Sequence, residues 1–194
     1  MKELRPIFQL SQHDKEEVNQ ECFYQDFPKP GIKFFDIFKF LDKHFPQIDR
    51  YYCETPIVLM PEARGFLFYK LFKPNQVIPL RKSGKLPGDL LEIPTEKEYG
   101  SDMLYIQKDL LRKRITEYVK THPHATIIPV TFFDDVAATG KTAECIINYF
   151  NNFNFEGYTF KVVYCTFCVE LKGLGAFERL KDLCNVETFY TINL

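Results

Sequence analysis

The 194-residue chain contains no tryptophan, carries no surplus of either charge and has no long apolar run. Its 25 basic and 26 acidic residues leave a net charge of −1, which argues against nucleic acid or an anionic membrane surface as the main partner. No apolar stretch reaches the roughly 18 residues that a membrane-crossing helix needs. Zinc-type spacing is missing too. The four histidines (13, 44, 122, 124) are scattered, and the six cysteines (22, 53, 145, 165, 168, 184) are irregularly placed. The one CxxC, Cys165 to Cys168, sits in the apolar run KVVYCTFCVEL with no second CxxC or CxxH. It therefore reads as buried strand thiols and not as a metal or redox pair. The start, MKELRPIFQLSQHDKEE, is too charged for a secretory signal and too acidic for a transit peptide, so a cytoplasmic protein is expected. Repeats and low-complexity tracts are also missing. The aromatic content, 20 Phe and 11 Tyr, is high and has no evident functional meaning in the sequence.

What remains fits a single domain with a sizeable core, 45% hydrophobic and 26% charged. Apolar, β-branched runs at 57–60, 77–80, 103–106, 126–133 and 160–169 predict strands. Periodic segments at 110–120, 142–153 and 174–183 predict helices, and residues 8–24 a further N-terminal one. Strands alternating with helices imply a mainly parallel sheet with ligands at the carboxyl ends of its strands. Pro28, Pro30 and Gly31 force a loop. Residues 82–100, with three Gly and two Pro, predict a mobile loop.

The most informative stretch is 126–142, TIIPVTFF followed by DDVAATGKT. It predicts a buried strand, a tight loop and a helix N-terminus, the ingredients of a phosphate site. Ala138 and Gly140 leave room for backbone N–H groups to converge, while Thr139 and Thr142 offer hydroxyls and Lys141 a positive charge. Asp134 and Asp135 would repel a phosphate but suit vicinal hydroxyls, which donate to carboxylates. A phosphate and a diol at fixed separation describe a ribose 5-phosphate. The GKT ending does not make a P-loop, because that motif needs Gly where Asp135 stands.

This segment resembles the phosphoribosyl pyrophosphate signature of type I phosphoribosyltransferases. DFPKPGIKFFDI (26–37), EARGFLF (62–68), LRKSGKLPG (80–88), EYG (98–100), YIQK (105–108) and VEL (169–171) follow in the order found in the adenine phosphoribosyltransferases. The resemblance implies an α/β fold with a mainly parallel central sheet flanked by helices, a small hood within about residues 1–40, and a mobile catalytic loop at about 82–100. It implies transfer of a phosphoribosyl group to adenine, giving AMP and pyrophosphate in purine salvage, by a magnesium-dependent cytoplasmic homodimer. Matching positions make Arg64, Arg81, Lys82 and Lys85 the pyrophosphate cations, with Asp134 and Asp135 on the ribose. The 5-phosphate falls to Ala138, Thr139, Gly140, Lys141 and Thr142. Glu98 matches the catalytic glutamate, and Tyr99 would close the site. Lys33, Phe34 and Phe35 match the adenine-binding hood, with Phe34 in the stacking register and Leu171 packing opposite. Magnesium would be held mainly by substrate oxygens and water.

The chain departs from the family pattern in three places. Phe35 stands where Arg is common, Lys141 replaces a usual Gly, and 109–130 is longer and carries the basic segment KDLLRKRITEYVKTH. The alternatives are the same chemistry on hypoxanthine, guanine or xanthine, or a non-catalytic sensor of phosphoribosyl pyrophosphate. The first would want a cation near the base's O6. The second would want a DNA-binding segment or basic patch that the charge balance does not supply.

Overall fold

A computed structural model describes residues 6–45, 53–97 and 100–194, with the side chains at 96, 97, 100 and 101 left aside. Its elements run α1 (Gln12–Glu21), β1 (Phe23–Gln25), β2 (Lys33–Phe35), α2 (Ile37–His44), β3 (Ile57–Pro61), a 3-10 helix (Arg64–Leu71) and β4 (Val77–Leu80). They continue with β5 (Leu90–Lys97), β6 (Gly100–Gln107), α3 (Lys108–Val119), β7 (Ile127–Ala137), α4 (Lys141–Asn152), β8 (Asn154–Phe155), β9 (Tyr158–Lys172), α5 (Ala176–Leu180) and β10 (Asn185–Asn193).

The central sheet has strand order β10-β9-β7-β3-β4, all parallel, with the short β8 antiparallel beside β9. Strands buried on both faces need apolar residues at every position, and β3 is buried throughout. The consecutive phenylalanines of β7 show why. Successive strand side chains point to opposite faces, so Phe132 enters one core and Phe133 the other. The first core lies under α3, α4, α5 and the β5–β6 ribbon, and includes Ile93, Leu111, Ile146 and Phe150. The second lies under α1, α2 and the 3-10 helix, and includes Val18, Phe40 and Phe68. The aromatic richness of the sequence is spent here. Phe133 alone touches the rings of Phe68, Phe72 and Phe189, at centroid separations of 5.4, 5.0 and 5.9 Å.

The expected mainly parallel α/β architecture is present, with several changes of boundary. The strand expected to end at Phe133 runs on to Ala137, pairing with β9 up to Glu170. Residues 90–97 of the expected 82–100 loop form a strand, antiparallel to β6. Its alternation is real, since Ile93 and Thr95 are buried while Glu92 and Pro94 are exposed, but Pro94 and the surrounding glycines disguise it. The helix expected from 174 begins only at Ala176, because Gly175 takes a left-handed φ of 85°. The N-terminal helix is shorter than 8–24 and is closed by a capping box between Ser11 and Asp14. The loop expected at Pro28, Pro30 and Gly31 is the turn of a hairpin, β1 against β2, whose first strand takes Phe23 and Tyr24 from the expected helix. Helix α2 follows it, capped by Asp36, whose carboxylate accepts from the amides of Phe38 and Lys39 at 3.0 and 3.3 Å.

The unassigned basic segment becomes α3. It buries Leu111 and Ile115 in the first core, while Arg112 pairs with Asp109 and Glu156, each at 2.6 Å. Arg114 is buried and donates to the Pro74 carbonyl at 3.3 Å. Both arginines are thus paired within the fold. Truncation of Phe133 tests the two-core description. Phe133→Ala should lower unfolding free energy by about 3–5 kcal/mol through lost burial and a residual cavity. Urea denaturation reads this directly, and a loss below about 1 kcal/mol would mean that the second core is not built around this ring.

Candidate active site

The carboxyl ends of β3 and β7 and the loop after β7 converge on a cavity of about 210 Å³. Arg64, Asp134, Asp135, Ala138, Thr139, Gly140, Lys141 and Thr142 all line it. Every residue that the sequence assigned to ribose and 5-phosphate is thus in one place, together with one of the four expected pyrophosphate cations.

Asp134 and Asp135 are strand residues and not loop residues as expected. Asp134 accepts the Asp135 amide at 2.8 Å. Burial, and secondarily the neighbouring Asp135, pushes the Asp134 carboxyl well above the usual carboxylate range. Asp135 is 5% exposed at its side chain, with Arg64 Nε 2.8 Å from its Oδ2. That contact is an ion pair lacking hydrogen-bond alignment, which leaves a lone pair on this buried oxygen unspent. Gly65 makes the arrangement possible. A Cβ there would lie 3.3 Å from Asp134 Oδ1 and 3.3 Å from Met60 Cγ, so a larger residue would press the Arg64 turn away from the acids.

The phosphate loop is tied from behind. Gly140 caps α4 with a left-handed φ of 75°, and a Cβ on it would meet Ala176 Cα at 3.1 Å. Arg179 of α5 donates from Nε to the Thr139 carbonyl at 2.8 Å and pairs with Glu144 of α4 at 2.8 Å. With its carbonyl held outward, the loop and the first turn of α4 present amide donors and the positive end of the helix dipole to the cavity. Nothing in the sequence near 134–142 announced Arg179, which lies about forty residues downstream.

The other expected cations are already partnered or exposed. Arg81 Nε pairs with Glu62, and Lys82 Nζ lies 3.7 Å from Asp102. Lys85 is exposed in a turn where its amide donates to the Lys82 carbonyl at 3.3 Å. The counter-charges Glu62 and Asp102 were not anticipated as site residues, although Glu62 stands two residues before Arg64 in the same motif.

The hood separates its two phenylalanines by strand alternation. Phe34 sits edge-on to Phe27 at 4.9 Å and has the Arg64 guanidinium 5.7 Å from its ring centroid. Phe35 goes the other way, 4% exposed and packed on Phe23 and Phe40. Lys33 shares that opposite side, its ammonium 4.3 Å from the Phe23 ring. Phe35 is therefore a core residue and Lys33 a partner of the hairpin, both on the side of β2 away from Phe34. Leu171 is 3% exposed in the second core, beside Val169 and Ile192. Its neighbour Glu170 is buried with an unpartnered Oε2, and burial raises its pKa. Glu98 and Tyr99 lie outside the described residues.

Two outcomes follow from this geometry. A carboxyl with a raised folded-state pKa contributes stability below its usual value of 3.8, and that stability is lost as pH rises toward the folded value. Asp134→Asn should accordingly raise the melting temperature at pH 7, by about 2–4 °C per kcal/mol relieved, and flatten its decline above pH 4. A melting temperature that falls in the variant would contradict the buried-acid account. Gly140→Ala should destabilise the fold, because the left-handed φ and the 3.1 Å approach to Ala176 both oppose a side chain. A thermal melt equal to wild type would show that the loop is not braced on α5.

No family model matches the chain. Curated relatives do. An adenine phosphoribosyltransferase of Prochlorococcus marinus (strain MIT 9313) is 34% identical over 166 residues, covering 80% of this chain and 86% of that protein. The adenine phosphoribosyltransferase of Mycoplasmopsis pulmonis is 32% identical over 189 residues, covering 91% and 100%. Among solved structures, the Rhodothermus marinus adenine phosphoribosyltransferase superposes with a TM-score of 0.59 at 28% identity, covering 94% of this chain and all of that one. The Saccharomyces cerevisiae enzyme, solved with an imino-altritol bisphosphate and adenine, gives 0.54 at 26% identity, covering 91% and 98%. With the type I phosphoribosyltransferase fold in place and relatives of this similarity spanning most of its length, the chain belongs to the adenine phosphoribosyltransferase family.

Proposed function

We infer that this protein transfers the 5-phosphoribosyl group of phosphoribosyl pyrophosphate to adenine, releasing AMP and pyrophosphate. The observation that carries the reading is the contiguity of Phe34, Arg64, Asp135 and the phosphate loop. An aromatic ring, a cation, a carboxylate pair and a ring of amides follow one another from the hood to α4. That order suits a base, the C1 leaving group, a ribose diol and a 5-phosphate.

In this reading the amides of residues 138–142, with Lys141, bind the 5-phosphate. Asp134 and Asp135 accept from the ribose hydroxyls, which also supply the hydrogen bond that the buried Asp135 oxygen lacks. Arg64 then turns from Asp135 to the pyrophosphate, joined by Arg81, Lys82 and Lys85. Breaking the C1–O bond makes the sugar cationic and the leaving group more anionic, so cations held near the leaving group and carboxylates near the ribose both lower the barrier. Glu98 takes the proton shed as the base nitrogen attacks, and Tyr99 closes the site against water. Phe34 stacks on the purine. Leu171, at the position that packs opposite in the family, is the proposed second wall of the base slot. Lys33 and Phe35 act at one remove, holding the hairpin that carries Phe34.

Magnesium fits this donor set as a substrate-held ion. The hard oxygens of Asp134 and Asp135 face the cavity and suit its water shell, and the ion neutralises a polyanion whose nearby protein cations are already partnered. A homodimer in the cytoplasm belongs to the same proposal. Among the described residues no helix is long and apolar enough to cross a membrane.

A base panel tests the substrate. Pyrophosphate release should be fast with adenine and weaker by about 10-fold or more with hypoxanthine, guanine or xanthine, because an amino-to-carbonyl swap leaves buried polar groups unpaired at about 1–3 kcal/mol each. Preference for a 6-oxopurine would overturn the base assignment, and no release with any base would favour the sensor reading. Single variants divide the roles. Phe34→Ala should raise KM for adenine and spare that for phosphoribosyl pyrophosphate. Arg64→Ala should weaken phosphoribosyl pyrophosphate more than AMP, since only the former carries the leaving group. Glu98→Gln should lower kcat by on the order of 10²–10⁴ with ligand affinity little changed. Near-normal kcat in that last variant would remove Glu98 from the chemistry.

A further inference from the structure

One peptide of the phosphate loop has an orientation that the loop's own sequence does not decide. Position 140 needs glycine, because its φ of 75° is left-handed and Ala176 leaves little room for a Cβ. Glycine takes positive and negative φ with similar ease, so the peptide joining Thr139 to Gly140 can turn over at little cost. The two orientations are electrostatic opposites, since a trans peptide points its N–H and its C=O in opposite directions. With the Thr139 carbonyl turned back, the Gly140 amide faces the cavity as a donor. With the peptide reversed, a carbonyl oxygen faces the cavity and opposes an anion.

The group that decides between them lies outside the loop. The cavity is walled by Arg64, Phe167 and residues between 134 and 143, and α5 stands behind the loop at Gly140. From there Arg179 donates from Nε to the Thr139 carbonyl and from Nη1 to Glu144 Oε2, both at 2.8 Å. One planar guanidinium thus spans the loop and the first turn of α4, and its fixed fork sets the direction of both bonds. Its own helix is anchored by the buried Ala176 and Leu180, and the Arg179 amide donates to the Gly175 carbonyl at 3.1 Å.

Glu144 gives the same contact a second effect. An acid in the first turn of a helix is favoured by the helix dipole. A bare carboxylate there would nonetheless oppose a phosphate held on that turn. Pairing with Arg179 offsets this charge from the side away from the cavity.

We propose that Arg179 is a positioning residue for the 5-phosphate, holding the Thr139–Gly140 peptide with its amide toward the cavity and so setting the site's preference for phosphorylated ligands. Arg179 acts through the loop and not on the ligand. The inference rests on the 5-phosphate placement proposed above.

The test uses the full chain with AMP, adenosine and inorganic phosphate. Arg179→Met keeps a long side chain and removes every donor. By calorimetry it should weaken AMP by about 10- to 100-fold, as for a lost hydrogen bond to a charged group, and adenosine by less than about 2-fold. Arg179→Lys, which keeps the charge without the fork, should fall between wild type and Arg179→Met. In the isotope-labelled protein the Gly140 amide resonance should move on adding inorganic phosphate, and in Arg179→Met it should move far less. Equal losses for AMP and adenosine would make Arg179 a general brace of the fold and overturn the proposal, as would a Gly140 response equal to wild type. If Arg179→Met does not fold, Arg179→Lys decides, and a wild-type ratio of AMP to adenosine affinity there would overturn the proposal. A wild-type Gly140 amide indifferent to phosphate would overturn the phosphate placement itself, and this inference with it.

Discussion

The ion pair between Arg64 and Asp135 is the contact on which the rest of this site depends. The carboxyl end of β7 puts two consecutive acids where water is largely excluded, an arrangement that like-charge repulsion opposes. The structure tolerates it in two ways. Asp134 is pushed toward its neutral form, and Asp135 has a cation 2.8 Å away. Asp135 is buried, so removing Arg64 leaves its charge uncompensated, although the 36% exposure of the Arg64 side chain softens that cost. Gly65, with no side chain to press on Asp134, is what brings the Arg64 turn close enough.

The same balance extends outward. Arg81 with Glu62 and Lys82 with Asp102 keep the cationic rim neutral. In the proposed reaction a polyanionic substrate competes with protein carboxylates for these cations. Each cation exchanges one anion for another, so less charge has to be stripped of partners when the ligand enters. The freed Asp135 oxygen then meets the ribose hydroxyls. One rearrangement thereby couples the ribose and leaving-group ends of the site, with Arg64 moving between them and Phe34 beside it.

Much of this was legible in the sequence because its physics is local. The DDVAATGKT string carries its own loop chemistry, and the apolar β-branched runs marked all five parallel strands except β10. What the sequence hid was set by distant partners or by strand parity. Phe34 and Phe35 are chemically identical neighbours, and only the pairing of β2 with β1 decides which faces Arg64 and which enters the core. Phe132 and Phe133 divide in the same way between the two cores. Asp134 and Asp135 read as loop residues because acids seldom sit in a buried strand, yet β9 holds that strand in register through Ala137. Arg179 and Asp102 act across long sequence separations, and no local pattern marks them. The two thiols of the CxxC part for the same reason, since three residues along a strand reverse the face and put Cys165 and Cys168 in different cores.

The central claim is that one charge-balanced cavity receives the phosphoribosyl group with its phosphate on α4 and its diol on the β7 acids. A crystal structure of the protein soaked with AMP tests this most directly. The account predicts the 5-phosphate against the amides of residues 138–142, both ribose hydroxyls on Asp134 and Asp135, and the adenine ring stacked on Phe34. A nucleotide bound with its phosphate elsewhere, or with Arg64 still paired to Asp135 and the carboxylates untouched, would contradict it.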